Sequence, residues 1–144
     1  MIRRIALAAA IAALGVTAVV AQGDPIAARK ALMKENGAQS RVAREMIEGK
    51  QPFDLAAAQK VLATFAAVDA KGKNLWPASS KDGDTAALPA VWEKKSDFDA
   101  KLVKLGVDAK EAAAKVKDLD SFKAVMGDMG KNCGGCHNTY RKKS

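Results

Sequence analysis

Apolar residues recur three and four positions apart along four long stretches of the chain, which is the spacing of one face of an α-helix. These stretches cover residues 25–48, 55–71, 98–119 and 121–140, and none alternates strongly between apolar and polar residues as a strand would. The third stretch has the most regular seam, formed by Phe98, Leu102, Leu105, Ala109, Ala112, Val116 and Leu119. The sequence therefore predicts an all-α protein.

Residues typical of helix ends bound the first two stretches. Asp24 is a predicted N-cap, Pro25 suits the first helical position, and Gly49 is a predicted C-terminal stop. Asp54 is the predicted N-cap of the second helix, which we expect to end near Gly72.

The second half of the chain begins with a long polar loop. Residues 73–89 are rich in Pro, Ser, Gly and Asp, and Pro89 is predicted to open a short helical turn. The stretch Ser96-Asp97-Phe98-Asp99 resembles a capping box for the third helix, and Asp120 or Ser121 is expected near the N-cap of the fourth. Four helices with three connections, two of them short, predict an antiparallel up-down-up-down bundle.

Residues 1–21 are predicted to be a cleaved secretory signal peptide. Two arginines precede an apolar, alanine-rich run at 5–20, and small residues lie just before Gln22. The run is short for a membrane-spanning helix, which needs about 20 residues. We therefore expect a periplasmic protein with one mature domain at 22–144.

The chain is basic, with 24 Lys and Arg against 16 Asp and Glu, for a net charge of +8. Basic and aromatic residues do not interleave, and export argues against a nucleic-acid partner. The charge is instead expected on solvated helix faces, with an excess at the C-terminal Arg-Lys-Lys-Ser.

The candidate chemistry lies near the C-terminus, where Cys133, Cys136 and His137 are the only cysteines and the only histidine. On a helix these three positions share one face. The spacing C-x-x-C-H is the attachment pattern of c-type haem, in which two thiols form thioethers and the imidazole binds iron. A thioredoxin-like dithiol needs strands, structural zinc needs four ligands, and a disulfide leaves the histidine unexplained. The sequence predicts one covalent haem c per chain.

The second axial ligand of the iron remains open at this stage. Met126 and Met129 share a helix with His137, so we expect them to pack in the core. Met33 and Met46 lie on the first helix, and their spacing lets only one face the iron. An arginine one turn before Met33, Arg29, suits a haem propionate, which favours Met33. The alternative is that Met33 only packs near the haem and the iron stays five-coordinate.

Several segments together resemble class II cytochromes c, namely ARKALMKENG at 28–37, EGKQPFD at 48–54, TAALPAVWEKKSDFD at 85–99 and GKNCGGCHNTYRKK at 130–143. The resemblance covers essentially all of the mature chain. It implies a cytochrome c′-like four-helix bundle, closest to the low-spin c-556 type. It also implies haem contacts at Arg29, Met33 and the C-x-x-C-H residues. The same resemblance places Lys30 and Thr85 near the haem.

The function expected from these features is one-electron transfer by low-spin haem c ligated by His137 and Met33, without enzymatic activity. The expected partners are periplasmic redox proteins with acidic docking surfaces, and the chain is expected to be a monomer or a homodimer without stable membrane insertion. The alternative is a five-coordinate cytochrome c′ that binds nitric oxide or carbon monoxide at an open distal face.

Overall fold

The computed structural model describes residues 23–143, so the predicted signal peptide at 1–21 lies outside the described residues. The described part is helical and confirms the predicted all-α bundle. Its α-helices are α1 (Pro25–Ile47), α2 (Leu55–Ala66), α3 (Val68–Gly72), α4 (Ala90–Glu93), α5 (Lys95–Lys115) and α6 (Leu119–Tyr140). A search of residues 23–143 finds no helix that combines the length and hydropathy needed to cross a membrane.

The predicted boundaries of α1 are confirmed. The Asp24 side chain accepts a hydrogen bond from the backbone N–H of Ile26 at 2.8 Å, and Pro25 follows it. Beyond the end of α1, Gly49 has a φ of 72°, a left-handed conformation that costs a glycine little. Asp54 caps α2 as predicted, by accepting from Ala57 N–H at 2.6 Å.

The predicted capping box of α5 is wrong, whereas Ser121 does lie near the N-cap of α6 as predicted. α5 begins at Lys95 with no side-chain cap, because the α4 turn runs into it through Lys94. The cap of α6 is Asp118, which accepts from the Ser121 backbone N–H at 2.8 Å while the Ser121 hydroxyl accepts from Asp118 N–H at 3.0 Å. Asp118 and Ser121 thus form a reciprocal capping box, with the serine at the third helical position.

The second predicted helix is broken at Ala67 into α2 and α3, where α5 comes close. A Cβ atom placed on Gly106 of α5 would lie 3.1 Å from Asp69 Cβ and 3.3 Å from the Ala66 carbonyl oxygen. Glycine therefore suits this close approach, because any other residue would have to push its neighbours aside. Of the four neighbouring helix pairs in the bundle, α2 and α5 contact each other most extensively and α1 and α6 least.

The core is divided along the bundle axis. The larger cluster fills the end away from the C-terminus of α6 and includes Met46, Leu62, Phe65, Val116 and Phe122. A smaller cluster of Val68, Val91, Phe98, Leu102 and Tyr140 fills the other end. The weakly packed seam between α1 and α6 opens beside this smaller cluster.

The close approach at Gly106 yields a stability prediction. Gly106→Leu must displace Asp69 and a backbone carbonyl, and overpacking of this kind lowers the free energy of unfolding by about 1–3 kcal/mol. Chemical denaturation of the holoprotein measures this change. The matched control is Gly37→Leu in α1, where a Cβ atom meets nothing within 4 Å. Equal stability of the two variants would contradict the prediction.

Candidate functional site

A cavity opens between α1, α5, α6 and the 73–89 loop, with a volume of about 650 Å³ that includes its mouth. Its walls are mainly apolar, and Trp76, Phe98 and Leu102 contribute to them. The lining from the two helices that contact each other least is Arg29, Lys30 and Met33 on α1 and Cys136, His137 and Tyr140 on α6. The seam between these two helices is therefore the entrance to the bundle interior.

The C-x-x-C-H residues lie in the last two turns of α6. Cys136 and His137 line the cavity, whereas half-buried Cys133 lines an adjoining groove between α1 and α6. The two thiols are free, and burial raises the pKa of each. Burial, followed by the charge of Arg141, lowers the pKa of His137. The imidazole is consequently neutral at pH 7, which is the form that binds metals.

The structure separates the four methionines of the described chain. Met33 lines the cavity, while Met46 is 1% exposed and lies in the larger core cluster. Met126 and Met129 also pack with that cluster, as predicted. Only one methionine of α1 therefore faces the space that His137 faces.

Arg29 is buried, with 3% of its surface exposed, and its guanidinium holds the 73–89 loop. Nη1 donates to the Leu75 carbonyl at 3.1 Å and to the Ser80 hydroxyl at 2.7 Å. Nη2 donates to the Ser80 carbonyl and to the Thr85 hydroxyl, both at 2.8 Å. Among residues 23–143 no carboxylate lies within 4 Å of this cation. Burial lowers the pKa of Arg29, an effect that Asp24 partly opposes.

Two tryptophans complete the surroundings of Arg29. Its guanidinium carbon lies 4.8 Å from the centre of the Trp76 ring and 5.7 Å from that of Trp92. Trp92 Nε1 donates to the Trp76 carbonyl at 3.1 Å. Trp76 Nε1 is buried and has no hydrogen-bond partner within the described part of the chain. The sequence analysis assigned no role to Trp76, which lies next to Pro77 in the polar loop.

These features test whether a haem group suits the cavity. A macrocycle needs apolar walls, its iron needs the neutral imidazole, and its two propionates need donors or cations. The cavity has an apolar lining and a neutral His137, and at its wall lie an Arg29 cation without a carboxylate and an unpaired Trp76 N–H. A buried cation is stabilised further by an anion nearby, and a buried N–H donor is costly without an acceptor, so a propionate carboxylate suits both groups. The residues present fit haem.

Comparison with known proteins gives the same result. The family model described as Cytochrome C′ matches residues 24–141. The chain belongs to the cytochrome c′ family. It is a c-type cytochrome and binds covalently attached haem c with its iron, which confirms the predicted family and cofactor.

Members of this family from one bacterium show the range of relatives. The chain is 43% identical to the cytochrome c′ of Rhodopseudomonas palustris over 97% of each protein, and 32% identical to its cytochrome c-556 over 99% of each. The solved structure of that cytochrome c′ matches with a TM-score of 0.82 and 43% identity, covering 85% of this chain and 99% of the other. A structural model of oxidised cytochrome c556 from R. palustris matches with a TM-score of 0.78 and 30% identity over the same shares.

The two residues placed near the haem by family resemblance alone lie at the cavity but make other contacts. Lys30 pairs with the exposed carboxylate of Asp84. The Thr85 hydroxyl accepts from Arg29 and from Ala87 N–H, the latter at 3.1 Å. Both residues therefore shape the loop, and Lys30 has an anionic partner without the haem.

Tyr140 links three elements around the cavity in this cytochrome. Its hydroxyl donates to the Asp97 carboxylate at the start of α5, and its ring lies edge-on to Phe98 at 5.1 Å. Its carbonyl accepts from Leu88 N–H at 2.9 Å. The bond to Asp97, with burial as a second cause, raises the pKa of Tyr140 to about 12.

This pKa predicts a titration that the chain's single tyrosine makes easy to follow. In ¹³C NMR of ring-labelled protein, Tyr140 should titrate near 12 when folded and near 10 when unfolded. Because the folded pKa is the higher one, the hydrogen bond stabilises the fold fully below about pH 10. This stabilisation is lost as the pH rises through about 12. Asp97→Asn should move the folded midpoint toward 10, and a native midpoint near 10 would show that the bond does not form.

Proposed function

We propose that this cytochrome is a one-electron carrier whose low-spin haem c is ligated by His137 and Met33. The observation that carries the proposal is that these two side chains come from α6 and α1 and line one cavity, while the other α1 methionine is buried in the core. When bound, the haem supplies a one-electron ferric–ferrous couple. A methionine sulfur as second ligand raises its reduction potential relative to two imidazoles.

The chain's own residues have separate roles in this proposal. Cys133 and Cys136 form the thioethers, one turn of α6 apart, and thereby fix the macrocycle to that helix. His137 stays neutral because burial and Arg141 both oppose its protonation. The apolar lining excludes water and limits the reorganisation that accompanies a change of charge at the iron.

Arg29 and Trp76 receive the propionates in this proposal. All four Nη hydrogens of Arg29 have acceptors in the loop, so its contribution is the buried positive charge and the remaining Nε donor. Trp76 Nε1 is the donor left without a partner. Arg29 supplies the charge and Trp76 the hydrogen bond for an anionic group that an apolar wall alone would leave unsolvated.

A second function is favoured by a specific observation, the 43% identity to a protein named cytochrome c′. In that alternative Met33 packs beside the haem without binding it, and nitric oxide or carbon monoxide binds at the open distal face. The c-556 relatives, 32% to 35% identical, favour the carrier instead.

The remaining parts of the proposal concern location and chemistry. We propose that residues 1–21 direct export and are removed, which leaves a periplasmic domain at 22–144. The partners are then periplasmic redox proteins that present acidic surfaces. Peroxidase-like catalysis needs a distal acid–base group, and His137 is the only histidine of the sequence. We therefore propose a carrier and not an enzyme, active as a monomer or a homodimer.

The attachment residues are tested by removing the thiols. Cys133→Ala with Cys136→Ala should abolish covalent attachment, because no other cysteine exists in the chain. Acidified organic solvent should then extract all the haem, and the denatured mass should equal that of the bare polypeptide. Each single variant should keep one thioether and resist extraction. Haem that remains attached in the double variant would contradict the assignment.

The axial ligand is tested by two matched substitutions on α1. Met33→Leu removes the sulfur with little change of volume. It should convert a low-spin ferric spectrum, with its weak sulfur-to-iron band in the red, into a high-spin one. The ferrous variant should then bind carbon monoxide rapidly. Met46→Leu makes the same replacement in the core and should leave the spectrum unchanged. A wild-type protein that is already high-spin would favour the gas-binding alternative.

A further inference from the structure

The residues after α6 form a strap, defined here as residues 141–143, that lies along the mouth of the cavity. Lys142 N–H donates to the Ala86 carbonyl at 2.8 Å, and Lys142 Nζ donates to the Thr85 carbonyl at 3.2 Å. Arg141 forms an antiparallel bridge with Ala87. Because Arg141 and the 85–87 segment also line the cavity, these bonds fix the strap at its rim.

The strap concentrates positive charge at this rim. Arg141, Lys142 and Lys143 are all exposed, and within residues 23–143 none has a carboxylate within 4 Å. Seven lysines elsewhere in the described residues form ion pairs. One of them is Lys30, which lies at the same mouth and pairs with Asp84. No described Asp or Glu lines the cavity. Three consecutive cations without an ion-pair partner in the described residues therefore lie together at the rim of the cavity.

We propose that the strap and the exposed Ala86 beside it form the docking surface for an acidic redox protein. This inference rests on the proposed electron-carrier function. A small apolar centre beside fixed charges suits a transient encounter, which needs fast association more than high affinity. Uncompensated cations at the haem entrance steer an acidic partner to the point where the distance to the iron is short.

The test compares two variants with the same change in net charge, both loaded with haem. Lys142→Glu with Lys143→Glu reverses two of the three positive charges of the strap. Lys110→Glu with Lys117→Glu reverses the charge of two exposed lysines that form no ion pair in the described residues. Lys110 lies in the last two turns of α5, and Lys117 lies beyond its end. Lys110 lies roughly 20 Å along that helix from Asp97, at 1.5 Å per residue, and Asp97 contacts Tyr140 beside the strap. Unchanged absorption spectra show that neither variant disturbs the haem.

The first measurement uses hexacyanoferrate(III), an anion that takes one electron from the ferrous protein and becomes hexacyanoferrate(II). At low ionic strength the rate constant of the strap variant should fall about tenfold. The dependence of this rate constant on salt concentration should become weaker or change sign. The distant variant should change by no more than about twofold. Equal slowing in both variants would show an effect of net charge alone and would overturn the proposal, as would no slowing.

The second measurement tests the class of partner without electron transfer. Titration with poly-L-glutamate should shift the NMR amide signals of residues 85–88 and 141–143 in the wild type and in the distant variant, but not in the strap variant. Shifts spread over the whole surface, or their absence, would overturn the acidic docking surface. Failure of Met33 ligation would appear only in the absorption spectrum, so it is distinguishable from failure of this inference.

Discussion

The structure around the cavity depends on one buried cation, the Arg29 guanidinium. Burial of an unpaired charge costs several kcal/mol, so the site must contain enough acceptors to compensate for it. Four hydrogen bonds to the 73–89 loop and two tryptophan rings provide that compensation. They also fix a loop with little regular structure against α1. Arg29 thereby helps to hold Trp76 and Thr85 at the cavity wall.

The neighbouring long helices of the bundle are packed unevenly around the cavity, with the most contacts between α2 and α5 and the fewest between α1 and α6. At Gly106 α5 and the α2–α3 break come so close that a Cβ atom there would lie 3.1 Å from Asp69 Cβ and 3.3 Å from the Ala66 carbonyl oxygen. On the opposite side α1 and α6 contact each other little, and apolar surface there faces a cavity. A tightly packed pair provides the rigidity that an open seam lacks. Under the proposed assignment, the haem would fill that seam and would be held by residues from both of its helices.

Much of this could be predicted from the sequence because its signals are local. Helical periodicity, the Asp24 cap and the C-x-x-C-H spacing each depend on residues within a few turns of one another. The start of α5 could not be predicted in the same way, since Asp97 and Asp99 resemble capping residues but bind Tyr140 and Lys95. The break at Ala67 has no local signal either. It lies where Gly106 of α5 comes close, and that contact joins residues far apart in the sequence. Likewise, the roles of Ser80 and Trp76 follow from a guanidinium about fifty residues away in sequence.

The choice between electron carrier and gas binder depends on an even smaller feature than these. Structures of both names match this bundle, with TM-scores of 0.82 for a cytochrome c′ and 0.78 for a cytochrome c556, so the fold cannot decide the function. In our proposal the two functions differ in whether the Met33 sulfur binds the iron, and ordering a methionine side chain costs up to about 2 kcal/mol. Binding of the Met33 sulfur is favoured over a five-coordinate iron only if α1 already holds this side chain toward the cavity. Here the α1 backbone is fixed one turn earlier by Arg29, and Met33 faces the cavity on that same side. Under the proposed ligation, the cation that orders the loop would also order Met33 and would thereby couple the architecture of this site to its redox chemistry.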